Sequence, residues 1–405
     1  MKNLPTGNEG RRFTVFAFFL IFAISFVIYY LTSKDGPTAY NNFVRLADAF
    51  LHGRLYLLKD IPWLELAEYK GKYYIIPPPM PAILILPFVA IFGLSFNQAL
   101  ASIFLGSLNV SIAFLIARQI TSNRSVQIWT TLMFGFGTIH WWLAATGWVW
   151  FISQVTSATF LLLAIYVTIK GKENFLAGFF LGASYLSRIT TVLSLPFFVV
   201  MFFNKWFNDL KSSSFIRWLN FRPLIYFGLG LGIWITLNFL YNYLRFDTVL
   251  DAAYYLKPGI FKESIYQKGL FDISYISRHL KVMFTRLPIF LSKPPYVMPS
   301  WEGLSIWITT PAFIYALFAN IRNRLTIACW VAIIPVALVD FAHGGTGWAQ
   351  FGYRYAFDFY PFLFILTLMG IGDHIRWHHK LLISIGILVN LWGVLWINKF
   401  GWVRF

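Results

Sequence analysis

Sixteen carboxylates occur in 405 residues, and five of them, Asp35, Asp48, Asp60, Glu65 and Glu68, fall in one polar stretch between residues 34 and 93. A carboxylate held beside a hydroxyl can take its proton as a general base, with pKa and aim set by its neighbours. Asn41, Arg45, Asp48 and His52 recur at i, i+4, i+7 and i+11, one face of a helix. That face suits Asp48 to base chemistry. The bland alternative is an exposed pair between Arg45 and Asp48, worth about 0.2–0.5 kcal/mol. Asp35 sits in a KDGP turn, where Asp and Gly are expected on turn chemistry alone. Asp60, Glu65 and Glu68 read as solvated faces of a short connecting helix.

Arg188, in YLSRITT between two short apolar runs, is an ionisable residue near hydrocarbon and hence a functional candidate with a partner to be found. Snorkelling to lipid headgroups is its structural alternative. Arg354 and Asp358, four apart in RYAFD, read structurally as an ion pair on one helix face. His140, Trp141, Trp142, Trp148 and Trp150 crowd the turn of a helical hairpin as an interfacial aromatic belt or a stacking wall for a ligand. His140 alone reads as a hydrogen-bonded packing residue. Lys293, Tyr296, Trp301 and Glu302 lie in KPPYVMPSWEGLS, where a long loop returns to the apolar body and could cover a ligand. The single cysteine, Cys329, excludes a disulfide framework and a thiolate metal site within one chain. No Asp-x-Asp pair occurs, which argues against a required divalent metal.

With 58% hydrophobic, 20% aromatic and 12% charged residues, the elements that position these groups must be membrane helices. The apolar runs predict an all-α polytopic bundle of about eleven crossings, at 13–32, 97–117, 125–144, 150–169, 175–187, 190–203, 223–243, 303–320, 325–341, 357–372 and 381–396. The run 80–92 is too short to cross and reads as interfacial. Leaving it out makes every short basic loop cytoplasmic, those holding Arg118, Arg124, Lys170, Lys172, Lys205, Lys211, Arg217, Arg222, Arg322, Arg324, Arg376 and Lys380 included. The N-terminus is then cytoplasmic and the C-terminus extracytoplasmic. Two long loops, 33–96 and 244–302, share the outer face of one membrane domain, 1–405. The first would hold an amphipathic surface helix over 40–58, a hairpin at EYKGKYYII turning on Lys70 and Gly71, and a stiff turn at Pro77, Pro78 and Pro79. The net charge of +17 serves topology and lipid phosphates; no zinc-ligand spacing or RNA-binding motif points to nucleic acid.

The order of a first span, ADAFLHGRLYL and GKYYIIPPPMPAILILPFVAIFG resembles the first extracytoplasmic loop of GT-C membrane glycosyltransferases, the clan of protein O-mannosyltransferases and lipid A aminoarabinose transferases. GWAQFGYRYAFDFYPFL resembles the Arg-Tyr motif such proteins carry before a late span. The resemblance implies inverting transfer of a sugar from a polyprenyl-phosphate donor to a lipid, glycan or protein acceptor outside the cytoplasm, without a cofactor. A first-loop carboxylate would be the base, and Arg188 and Arg354 would hold the departing phosphate. Asn41, Arg45, His52, His140, Trp148, Lys293, Trp301, Glu302 and Asp358 would line the substrates. The clan's Asp-Glu pair would fall near Ala39 and Tyr40, neither acidic, so Asp48 or Asp35 must replace it. Membrane lipids are the partners expected, with the acceptor and any protein partner open. The rival readings are a lipid-linked-sugar flippase, an O-antigen-ligase-like enzyme and a GT-C scaffold without catalysis. Few charges inside the spans and the early acidic loop favour transfer.

Overall fold

In the computed structural model, which describes residues 8–171, 173–203, 221–347 and 349–404, the chain is a bundle of apolar helices with two long connections folded over one end. Lys172, Lys205, Lys211 and Arg217 of the loop-charge argument lie outside the described residues. Helix α1 (Asn8–Thr32) enters the first connection. There α2 (Asn42–Leu51), the hairpin β1 (Leu66–Tyr69) and β2 (Lys72–Ile75), and α3 (Met80–Phe92) follow in turn. The body continues through α4 (Gln98–Ile120), α5 (Arg124–Phe136), α6 (His140–Thr146), α7 (Val149–Lys170), α8 (Asn174–Tyr185), α9 (Leu195–Phe202) and α10 (Arg222–Phe246). The second connection holds α11 (Ile276–Thr285) and the small hairpin β3 (Ile289–Phe290) and β4 (Val297–Met298). Last come α12 (Ile306–Thr309), α13 (Arg324–Ala342), α14 (Tyr360–Ile371) and α15 (Trp377–Val394).

Seven helical stretches among the described residues are long and apolar enough to cross a membrane. The four other expected crossings are shorter or broken. Residues 125–144 divide between α5 and α6, α8 has 12 residues, and 3-10 turns precede α9 and follow α12. At one end of the bundle, Thr121 and Asn123 hydrogen-bond Asp373. At the other, Trp141 and Asn398 reach Thr32, and Gln98 holds the amide of Phe43.

Small residues set the close crossing of α8 and α10. A Cβ on Gly178 of α8 would overlap the carbonyl of Phe227, and one on Gly230 of α10 would overlap that of Phe175. Membrane helices gain little from the hydrophobic effect against one another, so close backbone packing of this kind holds them together.

The first connection follows its sequence in part: the surface helix expected over 40–58 stops at Leu51, where His52 caps it and Gly53 turns the chain with a positive φ. Helix α2 buries Phe43, Val44, Leu46 and Ala47 over α3 and turns its polar stripe outward. Lys70 and Gly71 both adopt positive φ, the two-residue turn that matches the twist of β1 and β2. Helix α3 starts after Pro79 and stops at Gly93. The connecting helix expected near Asp60 to Glu68 does not form either. Turns lead into β1 instead, with Asp60 and Glu68 exposed and Glu65 half buried.

Candidate active site

Arg188 occupies the corner between α8 and the 3-10 turn before α9, where its guanidinium meets Asp358. Its Nε and Nη2 donate to Asp358 Oδ2 at 2.9 and 2.6 Å, and Nη2 lies 3.9 Å from Oδ1 of Asp340 at the end of α13. Thr190 Oγ1 donates to the same Asp358 oxygen at 2.9 Å, and Gln154 Nε2 of α7 reaches Oδ1 at 3.4 Å. One guanidinium thus faces two carboxylates from distant segments. Oδ2 of Asp340 is buried with no hydrogen-bond partner.

The Arg354–Asp358 pair expected from spacing is absent. Residues Arg354–Phe359 form a 3-10 helix, in which residues three apart, not four, share a face. Asp358 turns to Arg188, while Arg354 turns the other way. Its Nε donates to the Gly347 carbonyl at 2.9 Å, its backbone amide donates to Gln350 Oε1 at 2.8 Å, and its guanidinium lies 5.0 Å from the Tyr355 ring centre. The terminal amines of Arg354 donate to no protein acceptor among the described residues. An arginine fixed through Nε with free amines can receive an anion in two-pronged fashion.

The acid that faces this region comes from the first connection, and it is Glu65. Trp150 Nε1 donates to its Oε2 at 3.1 Å and Lys257 Nζ to its Oε1 at 3.0 Å. Lys257 also reaches Glu263 at 3.2 Å. Burial works against the Lys257 charge, but the two glutamates outweigh it and raise the pKa. The amide of Glu68 donates to the Leu256 carbonyl at 3.0 Å, so the two long connections are joined by backbone as well.

Tyr254 and Tyr266, in the second connection, lie within electrostatic reach of both Glu65 and Arg354. Burial pushes both phenol pKa values up, Glu65 pushes them further, and Arg354 pulls them down, so the carboxylate and the guanidinium act on the same two groups. The Tyr254, Tyr266 and Tyr355 rings all pack on His343, with centres 6.2, 5.6 and 5.6 Å away. His343 is held neutral by burial, partly opposed by the Gly345 carbonyl, with a pKa of about 4. His279 has a pKa of about 4 for the same main reason. Its ring joins the Tyr353 hydroxyl at 2.7 Å to the His343 carbonyl at 2.8 Å.

The other sequence candidates lie elsewhere. Asp35 is almost fully exposed and accepts from Lys399 Nζ at 3.0 Å. Asp48 pairs with His52 at 3.7 Å, not with Arg45, whose Nε donates to Asn41 Oδ1 at 2.9 Å. The i, i+4 partners of the stripe therefore satisfy one another. Neither Asp35 nor Asp48 bonds to Arg188 or Arg354.

His140, Trp141 and Trp142 are buried rather than belted at an interface, and His140 hydrogen-bonds Tyr29 at 3.0 Å and Asn109 at 3.4 Å. Trp148 packs between Tyr40 and Trp301, 5.2 and 5.9 Å from their rings. Lys293 is exposed at the tip of the β3–β4 hairpin. Glu302 pairs with Arg286, and its carbonyl accepts from Gln350 Nε2 at 2.9 Å, so the returning loop is pinned to the residue that holds the Arg354 amide. No group of three or more metal-ligating side chains occurs among the described residues.

Sequence reasoning read Glu65 as solvated and passed over Lys257, Tyr254, Tyr266, His343 and Asp340. Only Asp340 carried a local signal, an acid closing the apolar run of α13.

No protein-family model matches the chain, nor does any curated protein sequence. Solved structures do match in fold. The structure of ArnT from Cupriavidus metallidurans bound to undecaprenyl phosphate superposes with a TM-score of 0.55 and 13% identity, covering 92% of this chain and 63% of ArnT. The apo form gives 0.51 and 14%, covering 89% and 61%. The chain thus spans less than two thirds of the length of ArnT. The oligosaccharyltransferase of Archaeoglobus fulgidus aligns with a TM-score of 0.49 at 12% identity, covering 93% of this chain and 56% of that protein. The chain is a polytopic membrane protein with the GT-C fold.

Proposed function

We propose that the protein is an inverting glycosyltransferase that moves a sugar from a polyprenyl-phosphate donor to an acceptor at the extracytoplasmic face. The observation that carries this reading is that consecutive residues of α7 hold both groups: Trp150 donates to Glu65 Oε2 at 3.1 Å, and the Phe151 ring lies 5.8 Å from the Arg354 guanidinium. A single displacement needs a base at one side of the anomeric carbon and positive charge at the other. The acceptor hydroxyl gives its proton to the Glu65 carboxylate and its oxygen bonds the anomeric carbon. The bond from that carbon to the phosphate oxygen breaks with its electrons on the phosphate. Arg354 receives the departing lipid phosphate through its free amines.

Arg188 is tied to Asp358 and Asp340, and in this reading it supports the phosphate site by positioning, through its contact with the Tyr355 ring, 5.5 Å away. Glu65 takes the role of base ahead of Asp48 and Asp35 because those two are paired away from the arginines. Lys257 must release Glu65 as the acceptor enters. No metal is required by this chemistry, since the guanidiniums supply the charge. The undecaprenyl phosphate bound by ArnT, which shares the fold, supports a lipid phosphate as ligand.

The test is binding of undecaprenyl phosphate to the purified protein in detergent. Arg354→Gln should weaken it about 10-fold or more, the loss of a charge-assisted pair. Equal binding by wild type and variant would remove Arg354 from the phosphate site.

A further inference from the structure

We propose a second ligand site at the rim of the first connection, one that takes the headgroup phosphate of an anionic phospholipid. A cavity of about 590 Å3 opens there, lined by Arg54, Leu55 and Tyr56 after α2, by Lys72 and Tyr74 of β2, and by Leu244 of α10. That volume is in the range of small-ligand sites. No carboxylate lines it. Neither Arg54 nor Lys72 has a carboxylate partner among the described residues, and Lys72 instead lies over the Tyr56 ring, 4.4 Å from its centre. Asp247, close by in sequence to Leu244, is already occupied by Lys70 and Tyr69, at 2.7 and 3.0 Å.

The second observation says what shape of ligand fits. Ile233, Leu237, Leu240 and Leu244 are all exposed along α10, at i, i+4, i+7 and i+11, a single apolar stripe. It runs along the second half of a membrane-spanning helix and ends at the cavity. Two unpaired cations at the head of an apolar stripe match an amphiphile with a phosphate at one end and an acyl chain below it. Tyr56 and Tyr74 supply the aromatic wall expected at headgroup level. This site stands independently of the transfer reading, since none of its lining residues belongs to the Glu65–Arg354 region.

The experiment is native mass spectrometry of the detergent-purified protein with equal amounts of phosphatidylglycerol and phosphatidylcholine. The wild type should retain phosphatidylglycerol in preference. The double variant R54Q/K72Q should bind it about 10-fold more weakly, since each cation near a headgroup contributes several-fold. Leu244→Glu, which puts a negative charge on the rim without touching either cation, should also weaken retention, and the thermal midpoint of each variant checks that it is folded. Equal retention of the two lipids by the wild type, or an unchanged preference in folded R54Q/K72Q, would overturn the proposal. So would displacement of the lipid by millimolar inorganic phosphate, which would make the site one for a soluble anion.

Discussion

Arg188 and Asp358 lie 170 residues apart in the chain, yet Nη2 of one sits 2.6 Å from Oδ2 of the other, and Asp340 closes on the same guanidinium from a third segment. The pair joins the α8 corner to the Arg-Tyr segment and so fixes where Arg354 points.

Arg188→Met is therefore expected to destabilise the protein by about 3 kcal/mol, because it leaves two carboxylates buried without their cation. The figure is taken at the low end of the usual range, since a fifth of the Arg188 side chain stays open to solvent. The double variant R188M/D358L should lose less than the sum of the single changes. Thermal unfolding in detergent, run as a double-mutant cycle, measures this; additive losses would mean the two groups do not interact.

Acid should loosen the tyrosine and histidine network. His343 and His279 have folded pKa values of about 4, below the value of about 6.5 for an unfolded histidine. Between those values the unfolded chain binds the extra protons, so stability rises with pH through the window and is lost as pH falls from 6.5 towards 4. Each group contributes at most about 1.4 kcal/mol per pH unit there. The thermal midpoint should fall between pH 7 and pH 5, and His343→Gln should flatten that dependence.

Lys257→Met should uncouple the two long connections. The bridge to Glu65 is partly exposed, so the stability cost is about 1 kcal/mol or less. Hydrogen exchange of amides in 254–266 should nevertheless quicken by up to about fivefold, the rate factor for that energy, while the helical body stays protected. Unchanged exchange would show that the backbone bond from Glu68 to Leu256 is enough.

Gly178→Val should push α8 from α10, because a side chain there overlaps the Phe227 carbonyl. Overpacking costs of about 1–3 kcal/mol are typical, and here the obstacle is backbone that cannot turn aside. The thermal midpoint should fall, and the exposed Gly228, with open space around it, should accept alanine with little loss.

Local pattern made part of this molecule legible. Lys70-Gly71 announced its hairpin, the spacing of Phe43, Leu46 and Ala47 announced α2, and the apolar runs announced the bundle. The site was harder to read because its contacts are long-range. Spacing paired Arg354 with Asp358, and only the 3-10 backbone at that point sends Asp358 to Arg188. Glu65 looked solvated because its partners, Trp150 and Lys257, lie 85 and 192 residues away. The stripe through Asp48 was read correctly as one helix face, but that face satisfies itself and leaves the arginines to others.

The most direct test of sugar transfer is release of free polyprenyl phosphate when the purified protein in lipid nanodiscs meets a panel of polyprenyl-phosphate sugars and an envelope extract as acceptor. The wild type should release the lipid phosphate with at least one donor, Glu65→Gln should fall to background while still binding that donor, and Asp48→Asn and Asp35→Asn should keep most of the activity. A wild type that binds donors but releases nothing, or a Glu65→Gln variant as active as the wild type, would contradict the account.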